Sequence, residues 1–350
     1  MTTRSWVPAI LVMVAAVVVQ STHACPDECQ CFKDVSSVHC NAPDLDHIPQ
    51  GIPENTTLLQ MQGTKLAIVR KGDLKGLPLL RSLYLFGNRL QRIEVGVFDD
   101  TPTLVDLEAG GNQISELPAG VFRGLDKLKE VHLSLNNITD IPAGVFSSRP
   151  NLQVVDLQKN RIMSIQPGAF ANMPNSDVFE LSDNNIGDIK DGVFQGPQGA
   201  IHLMLGNNNI SVIEPTALRA FKNLTLLSLD NNNILAIGSV LHSLENLDVL
   251  SAVNNKLTKI SDTDFTGCEK LRMLDLSGNQ ISAVSQNAFK HLPDLQEIIL
   301  SNNNLNQMKA QLPLVLKKLN IQQNLLMEIP PLPSGIVELD MSYNPIESLK

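Results

Sequence analysis

Basic residues are in short supply in this 350-residue chain: 27 Lys and Arg stand against 36 Asp and Glu, a formal charge of −9. Nucleic acid and anionic membrane surfaces are recognised through basic patches, so the shortage argues against both as partners. Long apolar runs are also missing. After residue 24 no segment has the roughly 20 apolar residues that cross a bilayer as a helix. Catalytic signatures are absent as well. There is no H-E-x-x-H, no G-x-S-x-G and no Walker loop, each of which encodes a particular chemistry. Tryptophan occurs once, at Trp6. Of five cysteines, four crowd into residues 25–40.

What is present starts with a leader. Arg4 precedes an apolar run from Val7 to Val19, and Thr22-His23-Ala24 offers a cleavage site. Residues 1–24 therefore read as a signal peptide, with an uncleaved anchor as the alternative. Removal deletes one arginine and no acid, takes Trp6 with it and leaves Cys25 first. The cysteines Cys25, Cys29, Cys31 and Cys40 follow a C-x3-C-x-C-x8-C spacing. In a secreted chain this reads as two disulfides; four thiolates also suit zinc, against which a secretory leader argues. Residues 25–54 are expected to form a cysteine-rich N-terminal cap. Four sequons, at Asn55, Asn137, Asn209 and Asn223, are expected glycosylation sites. Together these features place the chain outside the cell.

The rest is repetitive. Asn88, Asn112, Asn136, Asn160, Asn184, Asn208 and Asn232 are spaced by 24 residues, and Asn255, Asn279, Asn303, Asn324 and Asn344 continue the series. Around each runs the frame L-x-x-L-x-L-x-x-N-x-L, as in Leu80, Leu83, Leu85, Asn88 and Leu90. A fixed period in the twenties with this frame is the signature of a leucine-rich-repeat solenoid. The expected fold is α/β: a horseshoe of about thirteen repeats over residues 55–350, with a parallel concave sheet. Pro and Gly in segments such as Ile141-Pro142-Ala143-Gly144 predict short 3-10 or irregular pieces on the convex side. Phe98, Phe122, Phe146, Phe170 and Phe194 form a second in-register series, resumed at Phe265 and Phe289, and read as core filling. The asparagines read as scaffold, because an amide both donates and accepts where the chain turns out of a strand. Cys268, in place of a core leucine, reads as a buried thiol, with an intermolecular disulfide as the alternative. No second cysteine cluster follows the last frame. Self-association through an uncapped C-terminal end is one expected way to cover it.

Side chains alternate along a strand, so the frame also predicts which residues line the open face. One candidate patch is acidic: Asp106, Glu108, Glu130, Asp156, Glu180 and Asp183, with His132 among them. A second is apolar: Val154, Val178, Leu226, Val249 and Met273, with Met204 beside them and His202 interrupting. Adjacent carboxylates repel unless something offsets them, and a row of exposed apolar groups marks protein contacts. Solvated surface is the competing account of each. The predicted ligand is an extracellular protein with basic groups over the first patch and apolar anchors over the second. His132 between Glu108 and Asp156 is the one grouping with acid–base character. It lacks a nucleophile and a closed pocket, so no enzymatic activity, metal or cofactor is expected.

The cysteine cluster followed by L-x-x-I-P-x-G-V-F repeats resembles secreted animal leucine-rich-repeat proteins. Its spacing is similar to the cap of small leucine-rich proteoglycans, chondroadherin-like members above all. The Ile141–Phe146 style equally resembles variable lymphocyte receptors and neuronal or immune receptor ectodomains. The resemblance implies the pairing Cys25–Cys31 and Cys29–Cys40. It implies a binding scaffold of matrix or adhesion type, whose partner is a matrix protein, growth factor or receptor, or else a recognition receptor or soluble immune factor. The C-terminal cysteine pair usual in the proteoglycans is missing. The Ser-Gly pairs at Ser277 and Ser334 lie inside repeats, which implies a core protein without glycosaminoglycan.

Overall fold

A computed structural model describes residues 25–347 apart from 33 and 35. The leader assigned to residues 1–24 lies outside the described residues. Each coil contributes one three-residue strand, and the strands join in a single 15-stranded sheet. The first, Gln30–Phe32, pairs antiparallel with Ser37–His39. From Ser37–His39 onward every neighbour is parallel and in register, so Val38, Leu59 and Leu83 fall in one row. That row is buried from Val38 to Leu319 because the frame places an apolar residue at each strand centre, aliphatic except for Phe179, while most residues on either side stay half-exposed on the open face. Disulfides Cys25–Cys31 and Cys29–Cys40 tie the antiparallel hairpin down at the N-terminal end. Zinc is excluded there, since all four sulfurs are in disulfides.

The convex side is nearly devoid of helix. Its only α-helical element among the described residues is the single turn Gly238–Leu241, accompanied by short parallel pairs such as Asp140–Ile141 with Ser164–Ile165. The phenylalanine series stacks as expected. Centroids from Phe98 through Phe194 are 6.3, 5.4, 5.6 and 5.5 Å apart. Phe179 and Phe221, outside the 24-residue register, join this spine at mid-solenoid. The Cys268 thiol is fully buried, with its pKa pushed up to about 12 chiefly by burial. A group so placed packs as a core residue.

The asparagine column holds the coils together. In each coil the amide reaches the coil before it. Asn136 Oδ1 accepts the Ile114 N–H at 2.9 Å, and its Nδ2 donates to Ala109 O at 3.0 Å as well as to Leu133 O in its own coil. The same three bonds recur from Asn112 through Asn344 with one omission: Asn255 lacks the bond within its own coil at that position. The side chain is aimed inward by its predecessor. All twelve residues before these asparagines, Gly87 to Tyr343, have φ between 52° and 69°. Gly and Asn adopt that left-handed region at little cost, and they fill most of the positions. Leu135, at φ 56°, is the aliphatic exception.

Two outcomes follow for chemical denaturation. Asn160→Ala removes the acceptor of Ile138 N–H and the donor to Leu133 O. Buried unsatisfied groups cost roughly 1–3 kcal/mol each, so a loss of about 2 kcal/mol or more is expected. A loss below about 0.5 kcal/mol contradicts the bonding role. Leu135→Asn relieves an unfavourable backbone and should raise stability by about 1 kcal/mol.

Candidate ligand-binding face

The concave sheet brings the acidic candidates together as neighbours. Asp106 is the register partner of Glu130, and Glu108, His132, Asp156 and Glu180 are successive partners in the central lane. The cation thus stands between two anions. His132 Nε2 is 3.2 Å from Glu130 Oε2, and Nδ1 is 3.7 Å from Asp156 Oδ2, an ion-pair distance beyond direct hydrogen bonding. Asp156 above all, with Glu130 adding and burial opposing, raises the ring pKa to about 9. The surrounding carboxylates thus favour the imidazolium form of His132. Asp106, Glu130 and His132 do present ligand-capable atoms within 4.8 Å of one another. For a metal to use the ring, His132 must first give up a proton that two carboxylates hold.

A second offset to the crowding of charge is backbone. Glu108 Oε1 accepts the N–H of Gly110 at 2.7 Å, Asp156 Oδ1 that of Gln158 at 3.1 Å, and Glu180 Oε1 that of Ser182 at 3.0 Å. Asp275 and Asp340 repeat this further along. A central-lane acid thus tethers the chain where it leaves the strand, a role missed when the lane is read as surface charge alone. Burial raises the Glu108 carboxyl despite the Gly110 N–H and the His132 charge. Burial also pushes Asp156 upward, but the nearby His132 ring and the Gln158 hydrogen bond together hold it below its usual value. The Asp106 carboxylate beside Tyr84 holds that phenol high.

Toward the C-terminal half the charge gives way. Val178, His202, Leu226, Val249 and Met273 are successive register partners and half-buried, forming an apolar lane with one interruption. Met204 lies in the neighbouring lane, beside Ser228. Asp230, which side-chain alternation alone does not single out, ties Ser228, Ser251 and the Val253 N–H together. Of the sequon asparagines, Asn55, Asn209 and Asn223 are exposed and Asn137 is half-buried. None lies on a strand of the sheet.

A solenoid closed at one end by disulfides, with one face of its parallel sheet bare, is a recognition scaffold in form. A family model described as Leucine rich repeat matches residues 78–134, 126–186, 177–234 and 242–305. The chain belongs to the leucine-rich-repeat family. Its likeness to small leucine-rich proteoglycans rests on human decorin, 41% identical over 61 residues, 17% of this chain and 16% of decorin. Leucine-rich repeat-containing protein 3 of Rattus norvegicus is 37% identical over 70 residues, 19% of this chain and 27% of that protein. The leucine-rich repeat and immunoglobulin-like domain-containing nogo receptor-interacting protein 1-B of Danio rerio is 31% identical over 80 residues, 23% and 13% of the two chains. The chain thus matches less than a third of the length of each relative. Among solved structures, a chain of the Drosophila Toll–Spatzle complex superposes with a TM-score of 0.80 at 21% identity, covering 88% of this chain and 44% of that one. A chain of the Latrophilin 3–Unc5D–FLRT2 octamer gives 0.75 at 23%, covering 91% and 97%. At such identities these likenesses define the fold alone.

The His132 pair makes stability depend on pH in a stated direction. Its folded pKa of about 9 lies above the unfolded 6.5, so its contribution is complete below about pH 6.5 and disappears as pH rises toward 9. Thermal melts of wild type and His132→Gln should therefore differ most at pH 6 and converge by about pH 9 to 10. A constant gap over that range contradicts the pairing.

Proposed function

We propose that this chain is a secreted, non-enzymatic protein-binding scaffold of matrix or adhesion type that takes an extracellular protein ligand on its concave face. In this reading residues 1–24 are the secretory leader, residues 25–54 the cap and residues 55–350 the binding solenoid. Asn55, Asn137, Asn209 and Asn223 carry glycans beside the strands and leave the sheet clear. The observation that carries the proposal is the division of one open sheet into an acidic region and an apolar lane. Half-buried aliphatic side chains with no covering layer are suited to a partner's anchors, and the acids steer a basic partner onto them. The N-terminal disulfides and the decorin likeness support an extracellular setting; among the described residues no helix is long and apolar enough to cross a membrane. The zebrafish nogo receptor-interacting relative favours a second reading, a receptor ectodomain or soluble immune factor, which would use the same face.

The test is binding of the glycosylated chain to a panel of purified extracellular domains, with variants run in parallel. Charge reversal belongs at Asp106, Glu130 and Asp183, because Glu108, Asp156 and Glu180 also hold backbone N–H groups. Lysine is tolerated at 183, since Lys159 occupies the equivalent position at the same φ. The triple Lys variant should weaken a true partner at least about tenfold and flatten its salt dependence. Leu226→Ser with Met273→Ser should speed its release. A partner that ignores both variants, yet is lost on Arg219→Glu at the convex side, contradicts the proposal.

A further inference from the structure

One coil departs from the repeat at a place that neither ladder requires. Immediately before Asn112 stand Gly110 and Gly111, whereas every other ladder asparagine follows at least one side chain in those two positions. Side chains from this coil and its neighbours close over the two glycines. Phe86 lies against Gly111, its Cε2 and Cζ 3.2 and 3.3 Å from where a Cβ would be, yet the residue is 42% exposed. Leu135, in the next coil, is 49% exposed and sits in the left-handed region where other coils use Gly, Asn, Asp, Lys, Gln or Tyr. Beside them Glu108 folds over Gly110, and a Cβ there would meet its Oε1 at 2.8 Å. Only that oxygen is engaged, by Gly110 N–H. No hydrogen bond engages Oε2 among the described residues. An exposed aromatic ring against Gly111 and a carboxylate folded over Gly110 therefore share one shelf, for which the two glycines make room.

We propose that this shelf seats an arginine side chain of the protein partner, an assignment that rests on the concave-face reading above. A guanidinium is planar. It can lie on the Phe86 ring and pair with Glu108 at its edge, and it is weakly hydrated enough to leave water for such a site. A lysine ammonium is a compact, strongly hydrated point charge and gains less from the ring. An apolar occupant would strand the Glu108 oxygen without a partner. An acidic one would meet Asp106, Glu130 and Asp156, of which His132 offsets only one. Leu135 then covers the aliphatic part of the bound segment. A strained, exposed leucine is the kind of local rule-breaking that accompanies a ligand clamp.

The probe is a short fluorescein-labelled peptide of alternating arginine and glycine, compared with its lysine counterpart by anisotropy at low salt. Wild type should bind the arginine peptide about fivefold more tightly than the lysine peptide. Phe86→Ser should remove that preference and leave the lysine affinity unchanged. Gly111→Asn should do the same by occupying the shelf and displacing the ring. Its fold is safe, because Asn207 and Asn231 fill the equivalent position at φ 54° and 53°. Circular dichroism melts confirm that each variant is folded. Equal binding of the two peptides by wild type, or a preference that survives Gly111→Asn, overturns the arginine shelf. The two proposals fail differently. If both peptides bind and only the Asp106, Glu130 and Asp183 reversal removes them, the acidic face stands without the shelf. If neither peptide binds, the acidic face as a basic-ligand site falls, and the shelf with it.

Discussion

Where each coil leaves the sheet, a backbone N–H and a carbonyl face inward with no strand partner to take them. The next coil supplies one amide that satisfies both. Asn160 does this for Ile138 N–H and Leu133 O, and Asn184 for Ile162 N–H and Leu157 O. The arrangement fixes the distance between coils, the register of the strands and the inward direction of the leucines. It also requires a left-handed residue just before each asparagine, which explains why Gly and Asn fill most of that column. Solenoid stability is a sum over nearest-neighbour contacts, and this contact is the one repeated without substitution.

Because the backbone is satisfied within the wall, the strand-flanking side chains are free to vary. The central lane is only partly free. Its acids Glu108, Asp156 and Glu180, in three coils, anchor the turn through Gly110, Gln158 and Ser182, so the acidity of this surface has a structural source. His132, placed between Glu108 and Asp156 and bonded to Glu130, lowers the repulsion that remains. The proposed binding residues are ones the asparagine column does not need: the flanking acids Asp106 and Glu130, the apolar lane from Val178 to Met273, and the exposed Phe86 and Leu135.

The fold was legible in the chain because its determinants recur at fixed separation. Leu83, Asn88 and Phe98 each have counterparts 24 residues on, and a repeated residue in a repeated place betrays its job. The parts that escaped do not recur. Phe179 and Phe221 enter the aromatic spine from outside its register. The protonation of His132 depends on Glu130 of its own strand and on Asp156 and Glu108 of the two neighbouring coils, a product of packing rather than of spacing. Alternation along the strand did identify the concave residues, and the register pairs them as adjacent. It could not separate a carboxylate that holds a backbone N–H from one that faces only water, since that depends on how a side chain folds back. The double glycine at 110 and 111 and the leucine at 135 were visible signals. Their meaning needed the left-handed column to be seen first.

Amide hydrogen exchange on the wild-type chain tests the asparagine column most directly. The N–H groups of Ile114, Ile138, Ile162, Ile186 and Ile210, each bonded to the next coil's asparagine, should exchange as slowly as those of the strand centres Leu107, Val131 and Val155. Exchange of these isoleucine amides at the rate of exposed turns, while the strand centres stay protected, would contradict the account.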